Sequence, residues 1–172
     1  VEENKSFKVE KQINYPVDKV FPQFNNLQNL TRWNQYFSGS KKMTVQYYTP
    51  YEGQGAALSF EDPTENRQGE VLIRFVSPGR GIKYQLFEGK KQNPEVIDVK
   101  FIPLPNKSTK IIWLVRTPKL SLMRRYQNFF TEESFSKNID QSMTQLSEVM
   151  ANRVDKESQL ASIKYDSLML GN

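Results

Sequence analysis

The chain has 172 residues, of which 37% are hydrophobic and 25% charged, and its formal net charge is +5. These values predict one soluble globular domain that is large enough for a core with an internal pocket. The absence of cysteine and histidine excludes disulfides, thiolate nucleophiles, imidazole bases and zinc sites made of these side chains. The sequence carries no nucleic-acid-binding motif. We therefore expect no nucleic-acid partner, no cofactor and no transition-metal site.

The first strand and two short helices are predicted near the start of the chain. Apolar and polar residues alternate over residues 7–13, as in a strand with one buried face. Pro16 suits a first helical turn, and Pro22 predicts that the helix is short or bent there. A second helix is expected at residues 27–33. The apolar face of the first helix consists of Val17, Val20, Phe21 and Phe24.

Six further segments between residues 43 and 117 alternate in the same way and are separated by turn residues. The alternate positions of these segments include Arg74, Lys83, Asp98 and Lys100, which predicts a solvent-exposed outer face. One apolar and one polar face are typical of an antiparallel sheet that packs on one side only. The alternation places on the apolar face Tyr47, Phe60, Phe75, Tyr84, Phe101 and Trp113.

A long helix follows, because the hydrophobic period changes from two to about 3.6. Thr131 can cap it, and two glutamates in the first turn suit the helix dipole. The apolar stripe consists of Phe135, Ile139, Met143, Leu146, Met150 and Val154. This stripe and the apolar sheet face must bury each other, which predicts an α+β domain over residues 1–156. Residues 157–172 are interpreted as a C-terminal tail or linker.

Four short motifs carry a family resemblance. They are residues 15–21 (YPVDKVF), 32–34 (RWN), 51–56 (YEGQGA) and 108–113 (STKIIW). Their order is similar to that of the START-like, pollen-allergen-like superfamily (SRPBCC), and most of all to its polyketide cyclase/dehydrase-like branch. The resemblance covers residues 7–155. One departure is Gln35, which stands where a proline often follows the Trp-Asn pair.

This resemblance implies a helix-grip fold, in which a curved antiparallel sheet of about seven strands wraps around a long C-terminal helix. Two short helices follow the first strand, and a cavity lies between sheet and helix. The family implies binding of lipids, polyketides or similar apolar molecules. Some members are cyclases or hydrolases, and one branch has co-chaperone roles. The family has no universal catalytic motif, so no catalytic residue is carried over.

We therefore expect the protein to bind a small hydrophobic or amphipathic molecule in an internal cavity. The alternatives are a cyclase, dehydrase or hydrolase that uses tyrosine or carboxylate residues, and a protein-interaction module with a residual cavity. The two tryptophans can equally be core residues, and a buried tyrosine hydroxyl can orient a ligand or bond to protein. The expected ligand-binding residues are Trp33, Tyr47, Phe60, Phe75, Tyr84, Phe101, Trp113, Ile139 and Met143.

Residues 120–130 combine large apolar side chains with two adjacent arginines, just before the long helix. This mixture predicts a lid that controls access to the cavity, or a peripheral contact with an anionic membrane. A plain connecting segment is the alternative. The expected lid residues are Met123, Arg124, Arg125, Tyr126 and Phe129. No segment approaches the ~20 apolar residues of a membrane span. The chain begins with Val1, so both a cytoplasmic location and an envelope-associated one with a removed anchor stay open.

Overall fold

The computed structural model of the protein describes residues 5–89, 93–118 and 131–170. Within these ranges it contains seven strands and four helices. In chain order they are β1 (Lys5–Ile13), α1 (Val17–Asn25), α2 (Leu27–Trp33), α3 (Gln35–Ser38), β2 (Thr44–Tyr48), β3 (Ala57–Asp62), β4 (Arg67–Ser77), β5 (Gly81–Glu88), β6 (Glu95–Leu104), β7 (Ser108–Thr117) and α4 (Glu132–Leu170).

The seven strands form one curved, unclosed sheet in the order β1-β7-β6-β5-β4-β3-β2, and all neighbours are antiparallel. The first strand therefore lies beside the last, and β1 and β2 are the two edges. One face of the sheet packs against the helices, and the other faces outward, as the alternation predicted. The predicted α+β architecture, with its short helices after β1 and its long C-terminal helix, is confirmed.

The first two short helices begin and end close to the positions that the sequence predicts. Pro22 lies inside α1, which is only nine residues long. Asn26 separates the first two helices, because its side-chain oxygen accepts hydrogen bonds from the backbone N–H groups of Gln28 (2.9 Å) and Asn29 (3.1 Å). Helix α3 was not predicted. It has four residues and is too short to show a helical period in its sequence.

Gln35, the departure from the family pattern, connects the short helices to the long one. Its backbone N–H donates a hydrogen bond to the hydroxyl of Ser142, at 2.9 Å. Ser142 is fully buried on α4 and would otherwise lack this donor. A proline has no N–H and could not make the bond. The neighbouring Gln145 side chain adds a second link from α4, to the carbonyl of Arg32 at 2.9 Å.

Helix α4 begins at the predicted cap, since the Thr131 hydroxyl accepts from the Ser134 N–H at 3.2 Å. Its buried residues are Phe135, Ile139, Ser142, Leu146 and Met150. Residues 151–170 are exposed throughout. The predicted tail is therefore helical up to residue 170, and the division at residue 156 stays a prediction. Within the described ranges, no helix combines the length and the apolar character that crossing a bilayer requires.

The prediction that Phe75 points into the interior is wrong. Ile73 pairs with Tyr84, but the next residue to pair is Phe75, which lies opposite Lys83. The extra residue of this β-bulge, Arg74, reverses the alternation in the second half of β4. Phe75 is therefore 56% exposed on the outer face. Val76 takes the inward position and packs against the core.

Candidate functional site

A small cavity lies between the sheet and the first two turns of α4, with a volume of about 60 Å³. Side chains from the short helices, from four strands and from α4 surround it. They are Phe24, Leu30, Trp33, Asn34, Tyr36, Phe37, Val71, Tyr84, Leu86, Ile97, Val99, Trp113, Phe135, Asn138 and Ile139. Most of this lining is aromatic or aliphatic, and none of it is Asp, Glu, Lys or Arg. The surface that a bound molecule would meet here is therefore mainly carbon.

Four of the nine expected ligand-binding residues line this cavity: Trp33, Tyr84, Trp113 and Ile139. All four are buried. Trp33 also has a structural role, because its indole N–H donates to the Gln23 carbonyl at 3.1 Å. The two tryptophans are therefore core residues that also form part of the cavity wall.

Four other expected residues belong to the apolar interior but are not part of the cavity lining. Phe60 packs edge-on against the rings of Tyr36 and Phe37. Phe101 packs in the same way against Phe21 and Phe24. The half-buried residues Tyr47 and Met143 pack against the core. Strand parity and helical period place a residue on a face, but they do not say where along that face a space opens.

The hydroxyls of Tyr84 and Tyr47 both bond to protein groups. Tyr84 donates to the backbone carbonyl of Phe24, and complete burial raises the pKa of the Tyr84 phenol well above its usual value near 10. The Tyr47 hydroxyl lies 2.6 Å from that of Thr31. A tyrosine hydroxyl in the interior can orient a ligand or bond to the protein. At both positions the hydroxyl bonds to the protein.

A buried charged cluster made of Tyr36, Arg67 and Glu88 adjoins the cavity. The Arg67 Nε–H donates to the Glu88 carboxylate at 3.0 Å, and its guanidinium lies 4.1 Å from the centre of the Tyr36 ring. Glu88 is 2% exposed. Because Tyr36 belongs both to this cluster and to the cavity lining, one end of the apolar cavity meets a charged network.

The Tyr36 phenol is protonated at neutral pH. Burial raises the pKa of Tyr36 well above 10, and the negative charge of Glu88 raises it further, while the Arg67 guanidinium opposes the shift. Tyr36 is therefore a hydrogen-bond donor at neutral pH and not a general base. The Glu88 carboxylate is engaged by the Arg67 guanidinium.

Sequence reasoning missed this cluster, although the signal was present in the strand parity. Glu88 shares the inward parity of Tyr84 and Leu86, and Arg67 shares that of Val71. Glu95 likewise begins β6 with the inward parity and is 4% exposed. Glu88 directly precedes Gly89, so it can also be interpreted as part of the turn after β5. A charged residue at an inward position indicates a buried pair, because buried charges need partners.

The size of the cavity limits what it can hold as it stands. Pockets for small organic ligands have volumes of roughly 300–1,000 Å³, several times the 60 Å³ found here. Among the described residues no group of three or more acidic side chains is arranged to hold a metal ion. The five predicted lid residues, Met123, Arg124, Arg125, Tyr126 and Phe129, lie outside the described ranges.

Comparison with known proteins shows the fold alone. No protein-family model and no curated protein matches the chain. A solution structure of a Staphylococcus epidermidis protein matches with a TM-score of 0.64 at 12% identity, over 89% of this chain and 93% of that one. A Rhodobacter sphaeroides protein matches with 0.64 at 10% identity, over 86% and 92%. An Arthrobacter aurescens protein matches with 0.61 at 18% identity, over 83% and 86%.

Proposed function

We propose that the protein binds a small apolar or amphipathic molecule between the sheet and α4. The observation that carries this proposal is the mainly apolar cavity, whose polar side chains are Asn34, Tyr36, Tyr84 and Asn138. Such a lining favours a ligand with an apolar body, because burial of apolar surface contributes about 25 cal/mol per Å². A polar group of the ligand would lie toward these side chains.

The cavity must enlarge to admit such a molecule. Its α4 wall consists of Phe135, Asn138 and Ile139, in the first two turns of the helix. Helix ends open at a lower free energy than helix centres, so a ligand can enlarge the cavity there without unfolding the domain. Ile97 is only half-buried although it faces inward, and it marks the more accessible side of the cavity.

The resemblance to the SRPBCC superfamily supports the same function, and the polyketide cyclase-like branch suggests lipids, polyketides or molecules of similar shape. Catalysis is the weaker alternative. The titratable groups of the lining are two tyrosines, and the pKa of each is raised. Access to the cavity through residues 120–130, and contact of these residues with an anionic membrane, belong to the same proposal.

Binding can be measured with anilinonaphthalene sulfonate, a fluorescent apolar probe with an anionic group. We expect saturable binding by the wild type and at least a ten-fold weaker affinity in Ile97→Arg, which places a charge at the cavity wall. The matched control is Phe75→Arg, which introduces the same side chain on the outer face and should bind as the wild type does.

Equal binding by both variants would contradict the internal site, provided that circular dichroism shows both to be folded. Native mass spectrometry of protein purified from its own source is the complementary experiment. A co-purified molecule retained by Phe75→Arg and lost from Ile97→Arg would identify the ligand.

A further inference from the structure

The outer face of the sheet carries a second concave surface, on the side opposite the cavity. This outer groove spans β2 to β5 and has a volume of about 710 Å³. Two rows of paired residues cross it: Gln46–Ser59–Glu70–Phe87 and Thr44–Glu61–Gln68. The groove is open and mostly polar, unlike pockets for small molecules, which are mainly apolar and enclose their ligands. It is therefore better suited to a macromolecular segment.

The outer groove is acidic on a protein whose net charge is +5. Glu61 and Glu70 are exposed on its floor. In the part of the chain that the structure describes, neither forms an ion pair, and the groove lining contains no lysine or arginine. Two exposed carboxylates with no lysine or arginine among the described lining residues favour a positively charged ligand.

The groove ends at an edge of the sheet. β2 pairs with β3 on one side, and among the described strands it has no partner on the other. An edge strand presents unpaired backbone N–H and C=O groups to any extended segment that comes alongside. The opposite edge, β1, differs in charge, because Lys8 and Lys110 flank its Glu10 at 3.1 and 3.3 Å. The two edges of the sheet therefore differ in the charge that they present to an added segment.

We propose that the β2 edge binds an extended basic peptide segment of another protein. The peptide backbone adds an eighth strand to the sheet, and its lysine or arginine side chains lie over the outer groove. Neighbouring strands are about 4.8 Å apart, so the added strand lies roughly 10 Å from β3. A long basic side chain and the Glu61 side chain together span this distance. Glu70 lies one strand further in and contributes attraction at longer range.

This mode of binding separates affinity from specificity. Main-chain hydrogen bonds to β2 provide affinity for any extended segment, and the carboxylates select the basic ones. The site does not involve the internal cavity, so it can be present whether or not the cavity binds a ligand. A test of one therefore leaves the other unaffected.

The probe is a seven-residue peptide in which lysine and threonine alternate (KTKTKTK), titrated into ¹⁵N-labelled protein. We expect saturable shifts of backbone amides in β2 and β3. Glu61→Gln should weaken binding roughly two- to five-fold, the range for an exposed ion pair. Glu70→Gln should weaken it less, because salt screens the attraction over the longer distance. The matched control is Glu10→Gln, on the outer face of the other edge, which should leave the affinity unchanged.

Two further peptides test the mode of binding. The same peptide with a central proline (KTKPKTK) keeps four lysines but loses a backbone donor, and it should bind at least several-fold more weakly. The acidic peptide ETETETE should not shift β2. Equal binding by all three peptides, shifts confined to residues outside β2 and β3, or no saturation at millimolar peptide would overturn the proposal. Shifts of β2 that grow with protein concentration alone would assign the edge to a second copy and overturn it too.

Discussion

The hydroxyl of Tyr84 donates a hydrogen bond to the backbone carbonyl of Phe24, sixty residues earlier in the chain. Tyr84 lies in β5 near the centre of the sheet, and Phe24 lies in the last turn of α1. The bond thus connects the middle of the sheet to the first helix across the wall of the cavity, and both side chains are buried. The hydroxyl is therefore a structural group whether or not a ligand binds beside it.

Tyr84→Phe should lower the free energy of unfolding by about 1–3 kcal/mol, because it leaves the buried Phe24 carbonyl without its donor. Urea unfolding followed by circular dichroism measures the change. The control is Tyr48→Phe, since the Tyr48 hydroxyl contacts Ser59 at an exposed position, at 3.3 Å, and its loss should cost less than about 0.5 kcal/mol. A Tyr84→Phe variant as stable as the wild type would show that water replaces the donor.

The stability of the protein should fall at alkaline pH because of Tyr36. Its pKa is raised by burial and by Glu88 in the folded state, while the unfolded chain deprotonates near pH 10. The folded state therefore holds the proton more tightly. The stability from this residue is complete below about pH 10 and is lost as the pH rises through the folded-state pKa.

Thermal unfolding of the wild type and of Tyr36→Phe between pH 8 and pH 11.5 tests this linkage. Subtracting the two curves removes the lysine titrations that both proteins share. The advantage of the wild type over the variant should shrink above pH 10. A difference that stays constant over the whole range would contradict the proposed linkage.

Breaking the Arg67–Glu88 pair should be costly, because Glu88 is buried and Arg67 only partly accessible. Glu88→Ala leaves the guanidinium without its carboxylate and should destabilise the fold by about 3 kcal/mol. The matched control is Glu10→Ala. Glu10 forms exposed pairs with Lys8 and Lys110, and their loss should not measurably change the unfolding midpoint. Similar stability losses in both variants would show that the buried pair contributes no more to stability than the exposed pairs do.

Gly69 should not tolerate a side chain. A Cβ atom there would collide with the carbonyl oxygen of Phe87 and lie 2.8 Å from the ring of Phe60. Gly69→Ala should therefore cost about 1–3 kcal/mol, as overpacking does. Gly81→Ala is the comparison, because its Cβ would meet only the Val99 carbonyl oxygen, at 3.2 Å. We expect a smaller loss there, and the reverse order in chemical denaturation would contradict the close approach at Gly69.

The two halves of α4 should respond differently to one and the same substitution. Leu146 is fully buried, whereas Leu160 is 66% exposed. Leu146→Ala should cost about 2–5 kcal/mol through lost burial and the cavity that it leaves. Leu160→Ala should change stability by less than about 0.5 kcal/mol. A large effect of Leu160→Ala would reveal that residues 151–170 have a packing partner in solution.

The sequence by itself determined the order of the seven strands, of α1, α2 and α4, and most of the apolar face of the sheet. It also determined the apolar stripe of α4 as far as Met150, but Val154, predicted as the end of that stripe, is 45% exposed. These follow from local periodicity, which depends on residues only a few positions apart. Trp33, Tyr84, Trp113 and Ile139 could therefore be placed in the interior from the sequence. The Thr131 cap was equally predictable, because an N-cap acts within a single turn of helix.

Other features were decided only by the tertiary structure. The bulge at Arg74 depends on the register between β4 and β5, and it moved Phe75 to the outer face. The bond from Gln35 to Ser142 joins residues 107 positions apart. The charged cluster of Tyr36, Arg67 and Glu88 likewise assembles from one helix and two strands. In each case the deciding interaction links residues that are distant in the chain. Strand parity can place Arg67 and Glu88 on the inner face, but a local pattern does not say which residues will meet there.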